Sequence, residues 1–322
     1  MALSLPAHGG NLAAAAARWG SPPDGWIDLS TGVNPWPYPV GSISGEVWAR
    51  LPSQGDDRAL RHAAARAYGV PGPDWVLPAP GSSPLIRWLA QMTPRCRVAV
   101  LGPTYSEHAE AWTAAGHDTR VVADLEGAAG ADVVVVVNPN NPDGRRIVPE
   151  RLVGLGGLVV VDEAFGEVAP ELTVARYLRP GMVVLRSFGK FYGLAGLRLG
   201  FALAPPDMVA RLEQALGPWA VSGPALVVGA RALADGAWAD ATRAHLASMA
   251  QRLDAVLAQA GMEAAGGTAL FRFVSDARAP ELYERLGRSG ILVRAFADRP
   301  RVLRIGLPSS EGDLQRLAAA LR

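Results

Sequence analysis

One lysine lies in a setting that suits covalent chemistry. Lys190 follows a short apolar stretch and stands among small residues, with Ser187 three positions before it and Arg198 eight positions after it. Such a lysine is well placed to form a Schiff base, while the serine and the arginine bind an anion nearby. A protein that binds pyridoxal phosphate (PLP) needs both features, a lysine for the Schiff base and residues that bind the phosphate. Lys190 and Arg198 could instead be ordinary surface charges beside a glycine-rich turn.

Two apolar runs upstream end in polar residues. Residues 133–137 are five valines, followed by a turn-rich segment that contains Asn141, and residues 158–161 are followed by Asp162. Such runs are typical of strands buried in a parallel sheet, and α/β folds place ligands at the carboxyl ends of these strands. A protonated pyridine nitrogen would pair with Asp162. Alternatively, Asp162 could cap a helix and Asn141 could make an Asx turn.

Helical and strand patterns alternate between about residue 56 and residue 206. The helical stretches are 58–68, 85–92 and 106–115, and the strands are 98–101, 133–137, 158–161, 183–186 and 200–204. This alternation predicts an α/β fold with a mostly parallel central sheet. We predict three parts: an N-terminal arm that belongs to the small domain (1–45), a large PLP-binding domain (46–206) and a small C-terminal α+β domain (207–322).

The composition excludes several classes of protein. The chain has 322 residues, of which 49% are apolar, so it can bury a large core. Its net charge of +1 gives no reason to expect a nucleic-acid or membrane partner. Cys96 is the only cysteine, which excludes an internal disulfide, and the five histidines lack zinc-site spacing, so no metal is expected. The N-terminus has no signal-peptide pattern, and we therefore expect a cytoplasmic protein.

The chain resembles the PLP-dependent transferases of the aspartate-aminotransferase-like fold over nearly its whole length. It is most similar to the threonine-phosphate decarboxylases of cobalamin biosynthesis, which are relatives of the histidinol-phosphate aminotransferases. The segment around Lys190 and residues 138–144 are typical of the whole superfamily. Residues 8–11, 30–35 and 162–165 resemble the decarboxylases in particular. The resemblance implies a homodimer that binds a small phosphorylated amino acid.

The resemblance also implies which residues bind the cofactor. They are Gly81, Ser82, Ser83, Tyr105, Asn141, Asp162, Ser187, Lys190 and Arg198. Among them, Lys190, Asp162, Asn141 and Tyr105 are expected to be catalytic. The glycine-serine turn would hold the phosphate, since backbone N–H groups that lead into a helix attract anions. The turn could also be a plain helix cap, and Tyr105 could be a core residue.

Substrate contacts are expected from five further residues. Arg304 matches the arginine that binds the α-carboxylate, a group that suits the guanidinium fork. Arg294 is a candidate for the substrate phosphate, although it could instead pair with a surface carboxylate. His8, Thr31 and Asn34 lie in the arm that folds over the substrate in the family; His8 could donate to a phosphate oxygen or simply be solvated.

Two departures from the aminotransferase pattern stand out. Phe165 occupies the place where these aminotransferases usually carry a tyrosine that bonds to the ring oxygen. Leu51-Pro52 replaces a Tyr-Pro pair whose tyrosine reaches the neighbouring subunit in histidinol-phosphate aminotransferases. Both weaken an aminotransferase interpretation, and the second makes a site shared between subunits less certain.

We therefore predict decarboxylation of L-threonine O-3-phosphate to 1-aminopropan-2-ol O-phosphate, for cobalamin biosynthesis. A PLP-dependent aminotransferase, such as one that acts on histidinol phosphate, is the alternative. Ser187 and Lys190 also match the Ser-x-x-Lys motif of penicillin-binding serine hydrolases, but the partner motifs of that class are absent from the sequence. A non-catalytic binding protein that retains the fold is a third alternative.

Overall fold

The computed structural model describes residues 8–322. Its helices are α1 (Leu12–Trp19), α2 (Gly45–Ala49), α3 (Gln54–Tyr68), α4 (Ser82–Met92), α5 (Ser106–Ala114), α6 (Pro149–Val153), α7 (Phe188–Phe191), α8 (Pro206–Leu216), α9 (Gly223–Ala234), α10 (Gly236–Gln259), α11 (Ala279–Arg288) and α12 (Glu311–Leu321). Its strands are β1 (Ile27–Leu29), β2 (Val76–Ala79), β3 (Arg97–Leu101), β4 (Asp118–Val122), β5 (Val133–Val137), β6 (Leu158–Asp162), β7 (Met182–Ser187), β8 (Gly200–Leu203), β9 (Ala264–Thr268), β10 (Phe271–Ser275), β11 (Ile291–Phe296) and β12 (Arg299–Gly306).

Residues 37–141 and 145–239 form one compact unit, here called the large unit. Its seven-stranded sheet has the order β2-β8-β7-β6-β5-β3-β4. The pairs from β7 to β4 are parallel, whereas β8 runs antiparallel to both of its neighbours. The predicted α/β fold with a mostly parallel sheet is therefore confirmed.

The core of the large unit lies on the sheet. All five valines of β5 are buried, which means that both faces of this strand are covered. One face packs against α4, α5 and α8 through side chains such as Leu85, Leu89, Trp112 and Leu212. A strand that is apolar at every position must be buried on both faces of the sheet, and the run of five valines predicted this burial. The carboxyl ends of β5, β6 and β7 consequently lie side by side.

The remaining described residues, 8–36, 142–144 and 240–322, form the small unit. Its five-stranded sheet has the order β1-β11-β12-β10-β9. β1 pairs with β11 in parallel, and the other pairs are antiparallel. Helix α11 covers this sheet with an apolar stripe that includes Leu282 and Leu286.

Most of the predicted elements are present, and most are longer than predicted by one to four residues. Residues 271–273, 291–294 and 302–305, which the sequence predicts as strands, lie in β10, β11 and β12, whereas β1, β2, β4 and β9 were not predicted. Helices α8 and α9 pack within the large unit, although the sequence analysis began the small domain at residue 207. The three-part division by domain stays a prediction. Among residues 8–322, no helix is long and apolar enough to cross a lipid bilayer.

Candidate active site

Lys190 lies in a single helical turn, α7, directly after β7. The turn is tight because Gly189 approaches the neighbouring backbone: a Cβ there would be 2.6 Å from Cα of Ala195. Phe188 and Tyr192, two positions before and after the lysine in the chain, stack their rings with centroids 4.2 Å apart. Lys190 itself is half-buried.

The glycine-serine turn and the segment after Lys190 meet at the start of α4. Gly81 has a φ of +89°, and a Cβ on it would be 2.8 Å from Nη2 of Arg198. Gly200, which pairs with Ser187, leaves so little space that a Cβ would be 2.7 Å from the backbone nitrogen of Ser82. Among the residues that the structure describes, no side chain caps the first N–H groups of α4. Uncapped helix N–H groups beside an arginine form a cradle that suits a phosphate.

Tyr105 precedes α5 and joins this turn to the end of β6. Its hydroxyl hydrogen-bonds with Ser83 and Glu107. Burial raises the pKa of Tyr105 well above its ordinary value, and the carboxylates of Glu107 and Asp162 raise it further. The phenol therefore stays neutral near neutral pH, and its ring is held close to the ends of the central strands.

Asp162 ends β6 and is 3% exposed. Its Oδ1 accepts the backbone N–H of Ala164 at 2.9 Å, and its Oδ2 is 2.9 Å from Nε2 of His108. His108 is fully buried, and its Nδ1 has no hydrogen-bond partner among the described residues. A hydrogen on Nε2 that is donated to Asp162 satisfies this geometry.

The sequence analysis did not identify His108. The available signal is its position: it follows Tyr105 by three residues at the start of a helix, so both side chains lie on one face. Their rings are 6.2 Å apart, nearly perpendicular to each other.

Asn141 lies in the turn after β5 and is half-buried. Two buried asparagines anchor this turn. The side chain of Asn138 bonds to both backbone groups of Ile147 at 2.9 Å, and Asn140 donates to the carbonyl of Pro103 at 2.9 Å. These bonds fix the backbone on both sides of Asn141. Phe165, three positions after Asp162, is buried, and its ring has no hydroxyl to donate.

The predicted substrate residues all lie in the small unit. Arg304 of β12 stands opposite Arg294 of β11, and its Nη2 donates to the carbonyl of Ser30 at 2.7 Å. Burial and, to a smaller extent, the charge of Arg294 lower the pKa of Arg304 to about 10, while Asp28 opposes the shift. Two adjacent cations in a partly buried place favour an anionic ligand.

The arm reaches the same place. His8 and Arg294 line one small pocket, together with Asn11, Ser30 and Tyr283. Gly9 lies against Ser30, where a Cβ would be 2.4 Å from the carbonyl oxygen. Thr31 and Asn34 are not among the residues that line this pocket; the side chain of Asn34 accepts the N–H of Trp36 at 2.9 Å.

The residues of the large unit fit PLP. The cradle at Gly81, Ser82 and Arg198 suits its phosphate, the buried carboxylate of Asp162 suits its ring nitrogen, and Lys190 suits its aldehyde. All nine predicted cofactor residues lie in this one unit. Their individual roles stay predictions.

The chain is similar to proteins of established function. The family model described as aminotransferase class I and II matches residues 43–321. The threonine-phosphate decarboxylase of Pseudomonas aeruginosa is 44% identical, over 98% of this chain and 96% of the relative. That of a Sinorhizobium species is 45% identical, over 98% and 97%. A histidinol-phosphate aminotransferase of Desulfitobacterium hafniense is 30% identical, over 92% and 91%.

Solved structures show the same fold. The histidinol-phosphate aminotransferase from Sinorhizobium meliloti, in complex with pyridoxal-5'-phosphate, aligns with a TM-score of 0.83 at 25% identity and covers 96% of this chain and 93% of its own. The L-threonine-O-3-phosphate decarboxylase from Porphyromonas gingivalis aligns with a TM-score of 0.76 at 21% identity, over 91% and 97%.

Proposed function

Because this chain belongs to the aminotransferase class I and II family, we propose that it is a PLP-dependent decarboxylase of L-threonine O-3-phosphate. The product would be 1-aminopropan-2-ol O-phosphate, a building block for cobalamin biosynthesis. The observation that carries the proposal is the identity to two threonine-phosphate decarboxylases over nearly the whole chain, well above that to the histidinol-phosphate aminotransferases.

The large unit supplies the residues that we propose for cofactor binding. Lys190 would hold PLP covalently, and Ser82 and Arg198 are the main candidates for its phosphate. Asp162 would keep the pyridine nitrogen protonated, and its contact with His108 supports this role because it fixes the carboxylate. When it is bound, PLP supplies an electron sink for the bond that breaks at Cα.

The small unit supplies the residues that we propose for the substrate. Arg304 would bind the carboxylate in bidentate fashion, and Arg294 with His8 would bind the phosphate. Contacts at both the carboxylate and the phosphate would orient the substrate so that the bond from Cα to the carboxylate breaks and CO2 leaves. Lys190 would then return a proton to Cα. An aminotransferase would instead use Lys190 to remove the proton from Cα.

Product analysis tests the proposal. PLP-loaded protein is incubated with L-threonine O-3-phosphate, with and without 2-oxoglutarate, and both CO2 and amines are quantified. We expect CO2 and aminopropanol phosphate in equal amounts without any oxo acid, and neither product from Lys190→Ala. Transfer of the amino group to 2-oxoglutarate without release of CO2 would show that the chain is an aminotransferase.

We further propose a cytoplasmic homodimer. The large unit exposes large apolar side chains, with Trp48 68%, Leu51 67% and Trp219 60% exposed. Exposed apolar residues of this size favour burial by a partner. The single cysteine, which cannot form an internal disulfide, suits a reducing compartment. Light scattering should give twice the chain mass, and Trp48→Glu should shift it toward the monomer; a monomeric parent protein would contradict the dimer.

A further inference from the structure

A buried ion pair lies directly beside the proposed cofactor residues. Glu163 follows Asp162 in the chain, and Arg186 precedes Ser187. The backbone N–H of Glu163 donates to the carbonyl of Leu185 at 2.9 Å, so the two strands are still joined at this point. Neighbouring side chains of a strand point to opposite faces. Glu163 and Arg186 therefore lie behind the face that carries Asp162 and Ser187.

The pair is fully enclosed and heavily bonded. Nη2 of Arg186 is 2.7 Å from Oε2 of Glu163 and 2.8 Å from Oγ1 of Thr173. The other oxygen of Glu163 accepts the N–H of Val174 at 2.7 Å. The guanidinium also lies 4.7 Å from the ring centre of Tyr68. Arg186 is 3% exposed and Glu163 0%.

The backbone beside the pair leaves space for the guanidinium because it carries a glycine, Gly166. A Cβ on Gly166 would be 2.3 Å from Nη1 of Arg186 and 3.1 Å from Cβ of Glu163. A second carboxylate, that of Glu167, lies 3.7 Å from the same Nη1. The arginine thus joins the end of β7 to the chain that follows β6, from residue 163 to residue 174.

Stability alone explains such a pair poorly. Taking two charges out of water is costly, and apolar residues of similar volume often serve stability as well or better. A buried ion pair does fix geometry, because its bonds are directional and few other arrangements satisfy both groups. What this pair fixes is the spacing between the ends of β6 and β7, where Asp162 and Lys190 are attached.

We propose that Glu163 and Arg186 are positioning residues that hold Asp162 and Lys190 in the relative position that PLP binding requires. The inference rests on the proposed function, since that function gives Asp162 and Lys190 their cofactor roles. Neither Glu163 nor Arg186 needs to touch the cofactor: Glu163 acts through Asp162, which precedes it, and Arg186 acts through the end of β7, which leads into the turn that carries Lys190.

Two variants test the inference. Arg186→Lys keeps the charge but loses the planar fork, and the triple variant Glu163→Gln/Glu167→Gln/Arg186→Met removes the pair together with the second carboxylate, so that no buried charge of this cluster is left unpaired. The matched control is Arg151→Lys, which alters an exposed ion pair with Glu126 in the same unit. For each protein we would measure thermal unfolding without PLP, the PLP dissociation constant, and the pH midpoint of the absorbance change of PLP bound to Lys190.

We expect both variants to fold, to bind PLP about tenfold more weakly and to shift the pH midpoint. A loss of this size is typical when residues that orient the contacting residues of a site are replaced. The control should match the parent in all three measurements. Folded variants with the dissociation constant and pH midpoint of the parent would overturn the inference, and so would a lower unfolding temperature with an unchanged midpoint. A parent that binds no PLP would overturn the proposed function, and this inference with it.

Discussion

Two buried charges govern the proposed chemistry, and each is held by hydrogen bonds to neighbouring groups. Asp162 is held by His108 and the N–H of Ala164, and Arg304 by the carbonyl of Ser30. The carboxylate of Asp162 can accept further hydrogen bonds from a ligand, because each of its oxygens has two lone pairs. Asp162 was predicted from the sequence because a charge beside a buried strand needs a partner, whereas Arg304 was predicted from the resemblance to the family; the roles of both stay predictions. His108 was not predicted, since a single histidine in a helix is more often a core residue.

Removing the charge of Asp162 tests its proposed role. Asp162→Asn keeps the shape but cannot hold a pyridine nitrogen in its protonated form. We expect kcat/KM for CO2 release to fall about a hundredfold or more, as when one preorganised electrostatic contact is lost. Steady-state assays at saturating PLP measure this. Asp132→Asn, an exposed carboxylate that pairs with Arg97, should change nothing. Parent-like activity in Asp162→Asn would contradict the assignment.

The guanidinium fork of Arg304 can be tested in the same way. Arg304→Lys retains a charge but loses bidentate bonding, so we expect kcat/KM to fall about 10- to 100-fold, equal to roughly 1.4–2.7 kcal/mol. Assays over a range of L-threonine O-3-phosphate concentrations give the value. Arg301→Lys on the same strand serves as the control, because Arg301 is exposed. An equal loss in both variants would argue against a substrate contact at Arg304.

Among the elements, the strands that position the site were the easiest to predict. β5 and β6 are apolar at nearly every position and buried on both faces, so their sequences clearly predict strands in the centre of a parallel sheet. β4 was not identified because it is polar and largely exposed at the edge of the sheet. β2, at the other edge, contains Pro78, which argues against a strand when only the sequence is known.

The start of α4 can be probed through the conformation of one glycine. Gly81 and Gly116 both have a positive φ, at +89° and +87°. An alanine at either should cost about 1–2 kcal/mol of unfolding free energy, because the left-handed region strains a side chain. Only the alanine at position 81 would meet Arg198, since no atom of residues 8–322 outside the immediate chain lies within 4 Å of the Cβ at position 116.

We therefore expect Gly81→Ala to weaken PLP binding and Gly116→Ala to leave it unchanged, at similar losses of stability. Chemical unfolding and PLP titration separate the two effects. Equal PLP affinity in both variants would show that the contact between position 81 and Arg198 does not matter for the cofactor.

For the whole molecule, the buried carboxylates predict how stability depends on pH. Burial raises the pKa of Glu167 above its ordinary 4.5, and the neighbouring Glu163 raises it too, while Arg186 and the Tyr68 hydroxyl oppose the shift. The folded protein then binds more protons than the unfolded chain at pH values just above 4.5. Stability from this group is complete below that pH and is lost as the pH rises through the folded-state pKa.

Thermal unfolding of the parent and of Glu167→Gln across pH 4–8 measures this contribution. The parent should lose stability relative to the variant as the pH rises above about 4.5, because the glutamine cannot ionise. A difference between the two proteins that is constant with pH would contradict a raised pKa.

The small unit is assembled from chain segments that are far apart, and this has a consequence for biosynthesis. β1 pairs with β11, so Ile27 must find Ile291. A ribosome that adds about 5–20 residues per second makes the second strand roughly 13–50 s after the first. The nascent chain can complete the large unit in that interval, while the first strand of the small unit must wait with its edge uncovered. Chaperone dependence in the cell should therefore come from β1, which stays unpaired until β11 has been made.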